Sequence, residues 1–280
     1  MNNFTQRVIT GTVFVTVLLG SVLLSPYTFI ALFCLITVLG VHEFYSLVDK
    51  DLAHPQKVTG IILSAILFLI FSFEASGILP EISFVPFLAL IFFVFIFELY
   101  SKKEKPFSNI AFTLLGIIYV ALPFSLLSGM LFLNGHYSPH VLVGYFLILW
   151  ASDSGAYMIG SKFGRNRLFE RVSPKKSWEG SVGGAVFSLI VAFTVSKFFT
   201  ELSLTDWLVF SVVIVVAGTL GDLIESLFKR SIQVKDSGNI LPGHGGILDR
   251  FDAVLISVPF LWAYLFLKFW FSTSAEAHFR

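Results

Sequence analysis

The chain contains a single cysteine, Cys34, among its 280 residues, which excludes an intrachain disulfide and leaves the redox compartment open. Charged residues are scarce, at 13%, and they nearly cancel to a formal net charge of +1. Such a balance gives no support to nucleic-acid binding. Internal repeats, low-complexity tracts, a separate soluble domain and the alternating pattern of a β-barrel are all missing from the sequence. These absences leave an apolar chain with few places for chemistry.

Apolar residues are what the sequence has in excess. Hydrophobic residues make up 56% of the chain, 33 residues are phenylalanine, and the mean hydropathy is +0.84. One water-soluble core does not need so much apolar surface, so the composition predicts an integral membrane protein. Further apolar runs follow the one at the N-terminus, which favours a retained first helix over a cleaved signal peptide.

The apolar runs have the length of transmembrane helices, which need about 20 residues to cross a bilayer. They predict an all-α polytopic membrane protein with about nine transmembrane helices. The spans are placed at about 8–24, 27–48, 58–73, 82–100, 108–132, 140–160, 181–200, 206–228 and 253–272. The third span is short and the turn at Pro26 is tight, so eight spans remain an alternative.

Basic residues are distributed unevenly between alternate loops of this arrangement. Nine spans put 16 of the 19 lysines and arginines on one side and leave Lys197, Lys268 and Arg280 on the other. The positive-inside rule then predicts a cytoplasmic N-terminus and an outside C-terminus. A wrong number of spans would scramble the asymmetry, so the asymmetry supports the count as well.

The chain divides into two parts by the character of its loops. Residues 1–135 are predicted to form about five spans that serve packing or oligomerisation. Residues 136–280 are predicted to form a catalytic transmembrane domain of about four spans. This part carries two long cytoplasmic polar loops, at about 161–180 and 229–252. Polar residues therefore crowd the side of the membrane where nucleotides are found.

Several acids lie where a membrane makes them costly, and intramembrane carboxylates usually face a cavity or a partner. The clearest cases are Asp153, Asp222 and Glu225. Asp249 and Asp252 are three residues apart at the start of the ninth span. One face of the eighth span collects polar or small residues at helical spacing. They are Gly218, Asp222, Glu225, Ser226 and Lys229. Two helices are thus predicted to present paired acids to one inner pocket.

Simpler interpretations of single acids remain open. Asp249 would cap a helix N-terminus equally well, and Asp222 would pair with Lys229 as structural glue. Neither interpretation accounts for both acids together. Three further polar residues lie near the inner ends of the second and fourth spans and are interpreted as interface or packing residues. They are His42, Glu43 and Glu98.

Carboxylates beside lysines and arginines suit Mg²⁺ and a polyphosphate. Mg²⁺ binds through one or two carboxylates plus phosphate oxygens, and basic side chains neutralise the remaining charge. The second polar loop also contains Gly238, Gly243, Gly245 and Gly246, which allow close backbone approach. Attraction of basic loops to anionic lipid headgroups is the alternative. It requires no pattern of Asp, His and Gly, so it explains less of the sequence.

The C-terminal polar run is similar to a family signature. Its parts are Ser226-Leu-Phe-Lys-Arg230, Lys235-Asp236-Ser-Gly238 and Leu241-Pro-Gly-His244-Gly-Gly246-Ile-Leu-Asp249-Arg250-Phe-Asp252. This run resembles the signature of the phosphatidate cytidylyltransferases, or CDP-diacylglycerol synthases, with no departure over its 27 positions. The stretch Ser173 to Gly180 resembles a second polar stretch of that family. The close matches cover residues from Asp153 to Asp252, whereas the first 135 residues resemble the family in hydropathy alone.

The resemblance implies a reaction in phospholipid biosynthesis. CTP and phosphatidic acid would give CDP-diacylglycerol and pyrophosphate, with Mg²⁺ as cofactor and a monovalent cation such as K⁺ beside it. The lipid phosphate would attack the α-phosphorus of CTP. The family is also associated with homodimers. Compact loops favour a bacterial inner membrane, with the site at its cytoplasmic side.

The resemblance further implies roles for individual residues. Asp222 and Asp249 match the metal-binding aspartates of the family. The second-tier residues of the site would be Asp153, Glu225, Asp236 and Asp252. The catalytic residues would be Lys229, Lys235, His244 and Arg250. The substrate-binding residues would be Lys175, Lys176, Ser177, Ser226, Arg230, Gly245 and Gly246. For His244, a hydrogen bond to phosphate and a role in closing the Gly-rich turn remain equal alternatives.

Three other functions are compatible with parts of the pattern. A CTP-dependent kinase of a polyprenol or phytol-like alcohol would need similar acids and a nucleotide pocket. A cation or proton transporter would use Asp153, Asp222 and Glu225 as a pathway, but its carboxylates would be spread through the membrane depth. A structural scaffold would leave the cost of Asp222 unexplained.

Overall fold

Backbone N–H and C=O groups inside a bilayer need internal partners, and a helix supplies them within one segment. The apolar runs follow this rule in the computed structural model, which describes residues 3–49, 52–80, 83–133, 136–238, 240 and 245–278. Seven helical segments are long and apolar enough to cross a membrane. They are Pro26–Val48, Lys57–Ala75, Pro106–Leu131, His140–Phe163, Trp178–Phe198, Leu204–Ser231 and Leu248–Trp270. Two shorter apolar helices, Val8–Leu24 and Phe84–Tyr100, are also present.

These helical segments coincide with the predicted spans along the chain. The prediction of a helical polytopic membrane protein is confirmed. The count of nine and the orientation of the two termini stay predictions, because two of the segments are short.

The helices and strands follow one another in a simple order. The helices are α1 (Asn3–Leu24), α2 (Pro26–Val48), α3 (Lys57–Ala75), α4 (Phe84–Ile91), α5 (Phe93–Tyr100), α6 (Pro106–Gly116), α7 (Leu122–Leu131), α8 (His140–Phe163), α9 (Trp178–Phe198), α10 (Leu204–Ser231) and α11 (Leu248–His278). A π-helical turn, Ile117–Ala121, joins α6 to α7. The strands are β1 (Phe132–Leu133), β2 (His136–Tyr137), β3 (Arg167–Phe169) and β4 (Ser173–Ser177).

The two strand pairs are antiparallel hairpins, β1 with β2 and β3 with β4. These short hairpins accompany the helices of the predicted all-α architecture. The second hairpin lies within the predicted polar loop 161–180. It is closed where the Trp178 N–H donates to the Asn166 carbonyl at 3.0 Å. Glu179 also accepts from the backbone N–H groups of Arg165 and Asn166, at 3.1 Å in each case. The predicted loop is thus an ordered β-hairpin.

The second predicted polar loop is shorter than expected. Helix α10 continues to Ser231 and α11 begins at Leu248, so the connection between them covers residues 232–247. The ninth span was expected to begin at 253. Its earlier start places Asp249 and Asp252 inside the first turns of α11, where free backbone N–H groups favour carboxylates.

Small residues let α8 and α9 pack closely. A Cβ on Gly155 of α8 would lie 2.7 Å from the Cβ of Phe187 and 2.9 Å from the Gly183 carbonyl oxygen. A Cβ on Gly183 of α9 would lie 2.5 Å from Ile159. Glycine is required here for space, as in other close helix pairs of membranes. The pair carries the β3–β4 hairpin at its inner end.

Helix α2 is fixed near its C-terminal end by two aromatic side chains. The Tyr45 ring fills space over Gly60 and Gly116, and its hydroxyl donates to the Thr113 carbonyl at 2.6 Å. The Phe44 ring stacks on Phe228 of α10, with 5.2 Å between ring centroids. Both aromatic residues are fully buried. The C-terminal end of α2 is therefore held against the C-terminal half of the chain.

Candidate functional site

Acidic side chains of α10 and α11 form one cluster. Asp222, Glu225 and Asp252 each offer a carboxylate oxygen, and these oxygens all lie within 4.8 Å of one another. Asp222 and Glu225 share a face of α10 because they are three residues apart. The two helices can come this close because Gly221 has no side chain. A Cβ at this position would collide with the Asp252 carbonyl oxygen. Helix packing thus turns the sequence pattern into a cluster.

Glu225 is the most deeply buried member of the cluster, at 2% exposure. Its Oε2 lies 2.6 Å from the Lys229 ammonium nitrogen. Its Oε1 is buried and has no hydrogen-bond partner among the residues that the structure describes. A buried oxygen without a partner costs about 1–3 kcal/mol. This oxygen is therefore available to a donor or a cation.

The β3–β4 hairpin brings Lys176 to the cluster. Its ammonium nitrogen lies 2.6 Å from Asp222 Oδ2 and 3.4 Å from the Thr219 carbonyl oxygen. Ser226 donates a hydrogen bond to Asp222 Oδ1 at 3.3 Å. A lysine from the first polar loop and an aspartate of the eighth span therefore share one site, although 46 positions separate them in the sequence.

Asp249 is held by a second set of contacts. Lys229 donates to its Oδ1 at 2.6 Å. Its Oδ2 accepts from the Ser237 N–H at 3.0 Å, the Ser237 hydroxyl at 2.9 Å and the Gly246 N–H at 2.9 Å. Lys229 therefore lies between Glu225 and Asp249, and both oxygens of Asp249 have partners.

The predicted pair of metal aspartates is arranged differently from the expectation. Asp222 belongs to the three-carboxylate cluster, whereas Asp249 lies behind the ammonium group of Lys229. The residues beside Asp222 are Glu225 and Asp252, which were expected to be outer members of the site. The difference arises because the turn of α11 that packs on Gly221 carries Asp252.

Two further predicted residues lie around the cluster. Asp153 of α8 interacts electrostatically with Lys176, Asp222 and Arg250, and it is exposed. Arg250 of α11 is exposed as well. Asp153 thus places α8 beside the cluster.

The remaining predicted residues fall into three groups. Four are exposed in or beside the two polar loops: Lys175, Arg230, Lys235 and Asp236. His244 and the neighbouring Gly243 lie outside the described residues. Ser177, predicted to bind substrate, is buried and accepts a hydrogen bond from the Gly180 N–H at 3.1 Å as the N-cap of α9. Its contact is therefore structural.

The two glycines that follow His244, Gly245 and Gly246, lie against carboxylates. Gly245 has a φ of +84°, which L side chains rarely adopt. A Cβ at this position would collide with Asp249 Oδ2. A Cβ on Gly246 would collide with the carboxylate of Glu43. Close backbone approach is needed here as predicted, but to protein carboxylates.

Glu43 of α2 was interpreted as an interface or packing residue, and this interpretation missed its contacts. Its side chain is 5% exposed and accepts a hydrogen bond from the Ser237 hydroxyl. It also accepts from the N–H groups of Ile247 at 2.9 Å and Leu248 at 3.1 Å. The only sequence signal was an acid near the inner end of a span. Nothing local identified partners about 200 residues away.

Comparison with known proteins identifies the family of the chain. A sequence profile described as "Cytidylyltransferase family" matches residues 5–268. A phosphatidate cytidylyltransferase of Staphylococcus haemolyticus is 34% identical over 258 residues, which cover 91% of this chain and 96% of that protein. One from Staphylococcus saprophyticus is 36% identical over 218 residues, covering 77% of this chain and 82% of that protein. One from Staphylococcus aureus is 40% identical over 177 residues, covering 62% and 66%. The chain belongs to the cytidylyltransferase family.

Proposed function

We propose that the protein is a membrane phosphatidate cytidylyltransferase that converts CTP and phosphatidate to CDP-diacylglycerol and pyrophosphate. The observation that carries the proposal is the match to relatives of that name over nine-tenths of the chain. The acids and lysines that meet at the inner ends of α10, α11 and the β3–β4 hairpin support it. We further propose a bacterial inner membrane and a site at its cytoplasmic side.

Mg²⁺ fits the residues of the cluster. The three carboxylates of the cluster, the neighbouring carboxylate of Asp249 and two ammonium groups together leave two formal negative charges. These groups belong to Asp222, Glu225, Asp249, Asp252, Lys176 and Lys229. The buried Glu225 Oε1, which lacks a partner among the described residues, is a suitable ligand atom. We infer that Asp222, Glu225 and Asp252 would hold the ion.

Asp249 keeps its predicted place as a metal ligand in this proposal. Among the residues that the structure describes, Lys229 donates to its Oδ1, and this oxygen would become available if that ammonium group turned toward a substrate phosphate. The monovalent cation implied by the resemblance stays a prediction. A homodimer stays a prediction as well.

The reaction needs alignment and charge neutralisation more than covalent help from the protein. An oxygen of the phosphatidate phosphate forms a bond to the α-phosphorus of CTP, the bond from that phosphorus to the α–β bridging oxygen breaks, and pyrophosphate leaves. The attacking phosphate, with a second pKa of about 6, is already largely ionised at neutral pH, so no strong base is required. Bound Mg²⁺ would neutralise phosphate oxygens as charge moves to the leaving group.

The lysines of the site would exchange partners during this reaction. Lys176 and Lys229 are ion-paired with carboxylates when no substrate is present. A bound triphosphate would offer them phosphate oxygens as acceptors, and the carboxylates that they release would then be free to hold the metal. Exposed Lys175, Lys235 and Arg250 would contact the outer phosphates, and Arg230 would contact the phosphatidate head.

The position of a label in the product tests the proposal. The purified protein is incubated with phosphatidate, Mg²⁺ and CTP labelled at the α- or the γ-phosphate. We expect the α-label in a lipid product and the γ-label in pyrophosphate. A γ-labelled lipid with released CDP would identify a lipid kinase. Absence of any labelled lipid, together with cation flux in vesicles, would identify a transporter.

A further inference from the structure

Glu43 is a buried carboxylate that the proposed reaction has not yet used. Among the residues that the structure describes, its partners are neutral: one hydroxyl and two backbone N–H groups. Burial of a charge is costly unless hydrogen bonds compensate it. The N–H groups of Ile247 and Leu248 lie at the start of α11, where free donors and the helix dipole favour an anion. Glu43 therefore caps α11 from a helix in the other half of the chain.

Two described glycines of the connection between α10 and α11 pack against this carboxylate. A Cβ on Gly246 would collide with it, and a Cβ on Gly238 would lie 2.8 Å from its Oε2. Gly246 shows no positive φ, so space is the reason for glycine there. Glycines that the sequence suggested for substrate approach thus make room for Glu43.

Hydrogen bonds link Glu43 to the acid cluster. The Ser237 hydroxyl contacts both Glu43 and Asp249 Oδ2, the latter at 2.9 Å. Asp249 in turn accepts from Lys229 at 2.6 Å, and Lys229 lies 2.6 Å from Glu225. The order of the contacts is Glu43, Ser237, Asp249, Lys229, Glu225. A change at Glu43 would therefore be felt at Asp249 and Lys229.

We propose that Glu43 is a positioning residue that holds Ser237, Ile247 and Leu248 so that Asp249 and Lys229 face the acid cluster. The inference rests on the proposed function and deepens it. It means that the N-terminal half, expected to serve packing or oligomerisation, completes the site. The contacts of Phe44 and Tyr45, the two residues that follow Glu43, make this effective because they fix the backbone of α2 next to it.

The test compares two buried glutamates. Glu43→Gln keeps the shape of the side chain and removes its charge. The matched control is Glu98→Gln, since Glu98 is 2% exposed and is also bound by neutral donors, from Gln56 and Asn109 at 2.7 Å each. We measure kcat, KM for CTP, the Mg²⁺ concentration for half-maximal rate, Tm, and hydrogen–deuterium exchange of peptides covering 245–250.

We expect Glu43→Gln to lower kcat at least about tenfold, a loss typical of mutations in residues that orient metal ligands. We also expect it to raise the Mg²⁺ concentration needed for the half-maximal rate. Deuterium uptake over 245–250 should rise. Glu98→Gln should keep the wild-type kcat and the wild-type deuterium uptake over 245–250, even if its Tm falls as far as that of Glu43→Gln. A Glu43→Gln protein with wild-type kcat and Mg²⁺ requirement overturns the proposal, and so does an equal loss of activity in Glu98→Gln.

The exchange measurement separates this proposal from the proposed function. If the wild-type protein forms no CDP-diacylglycerol, the proposed function fails, and uptake over 245–250 alone decides the role of Glu43. Raised uptake in Glu43→Gln then supports the positioning role. Unchanged uptake overturns it.

Discussion

At residue scale, the ammonium group of Lys229 lies 2.6 Å from Glu225 and 2.6 Å from Asp249. All three side chains are largely buried, with exposures of 13%, 2% and 8%. Loss of one partner in a buried ion pair leaves an uncompensated charge, which costs far more than loss of a surface pair. Lys229 therefore serves the stability of the site as well as its proposed chemistry.

Lys229→Met should destabilise the protein by about 3 kcal/mol, because two buried carboxylates lose their cation. CDP-diacylglycerol formation should fall about 100-fold, the size of effect seen when a charge-stabilising group is removed. Thermal unfolding in detergent and the labelled-CTP assay measure the two effects. Lys103→Met, at an exposed position of another inner loop, is the control. A comparable loss in the control would mean that the pocket lies elsewhere.

The residue pattern on α10 could be recognised in the sequence because helical spacing alone puts Asp222 and Glu225 on one face. Which acid of α11 joins them could not be recognised. Asp249 and Asp252 both lie on one face near the start of α11, so the sequence favours neither. Which of them joins the cluster depends on how Gly221 packs against the backbone of Asp252. Partner selection of this kind is tertiary.

At the scale of elements, the close pair α8 and α9 carries the hairpin that delivers Lys176. Gly183→Leu should force the helices apart, because even a Cβ would lie 2.5 Å from Ile159. Overpacking of this kind costs about 2 kcal/mol. We therefore expect a lower Tm together with weaker CTP binding, measured as a higher KM.

Val182→Leu is the matched control for that substitution, because the neighbouring Val182 side chain is 62% exposed on the outer surface of the bundle. Its Tm and KM should stay close to the wild-type values. If Gly183→Leu behaves like this control, the tight α8–α9 contact is not what positions the hairpin.

The helices were predictable and the hairpins were not, for different reasons. Hydropathy over about 20 residues defines a span without reference to neighbours. The β3–β4 hairpin is made of two short strands, Arg-Leu-Phe and Ser-Pro-Lys-Lys-Ser, the second of which contains Pro174. It is held by contacts such as that of Glu179 with the N–H groups of Arg165 and Asn166. The sequence has no alternating apolar pattern that would indicate such a hairpin.

At the scale of the whole molecule, orientation in the membrane is the prediction with the widest consequences. Cysteine labelling tests it in a Cys34→Ser background with intact cells and a membrane-impermeant maleimide. Thr200→Cys, between α9 and α10, should be labelled, and Lys103→Cys, between α5 and α6, should be protected until the cells are lysed. Both positions are exposed. The reverse pattern would place the acid cluster outside and remove its access to CTP.

The helical spans could be predicted from the distribution of apolar residues, because a bilayer admits apolar segments whose backbone groups are paired internally. The orientation that the basic residues indicate stays a prediction. The dependence of the site on the N-terminal half could not be predicted. Glu43 and Ile247 are 204 positions apart, and their contact exists only after α2 has packed against α10 and α11. A signature in the C-terminal third directs attention away from that contact.

Transfer of the α-phosphate label of CTP to phosphatidate, measured for the wild-type protein and for Asp222→Asn, tests the central claim most directly. Asp222 belongs to the cluster in the sequence pattern and in the structure alike. We predict a labelled lipid and an equal amount of pyrophosphate from the wild type. Asp222→Asn should lose at least about 100-fold in rate at every Mg²⁺ concentration, because charge stabilisation at the site is removed. Glu104→Gln, on an exposed inner loop, should keep the wild-type rate. A correctly inserted Asp222→Asn protein with near-normal turnover would contradict the account.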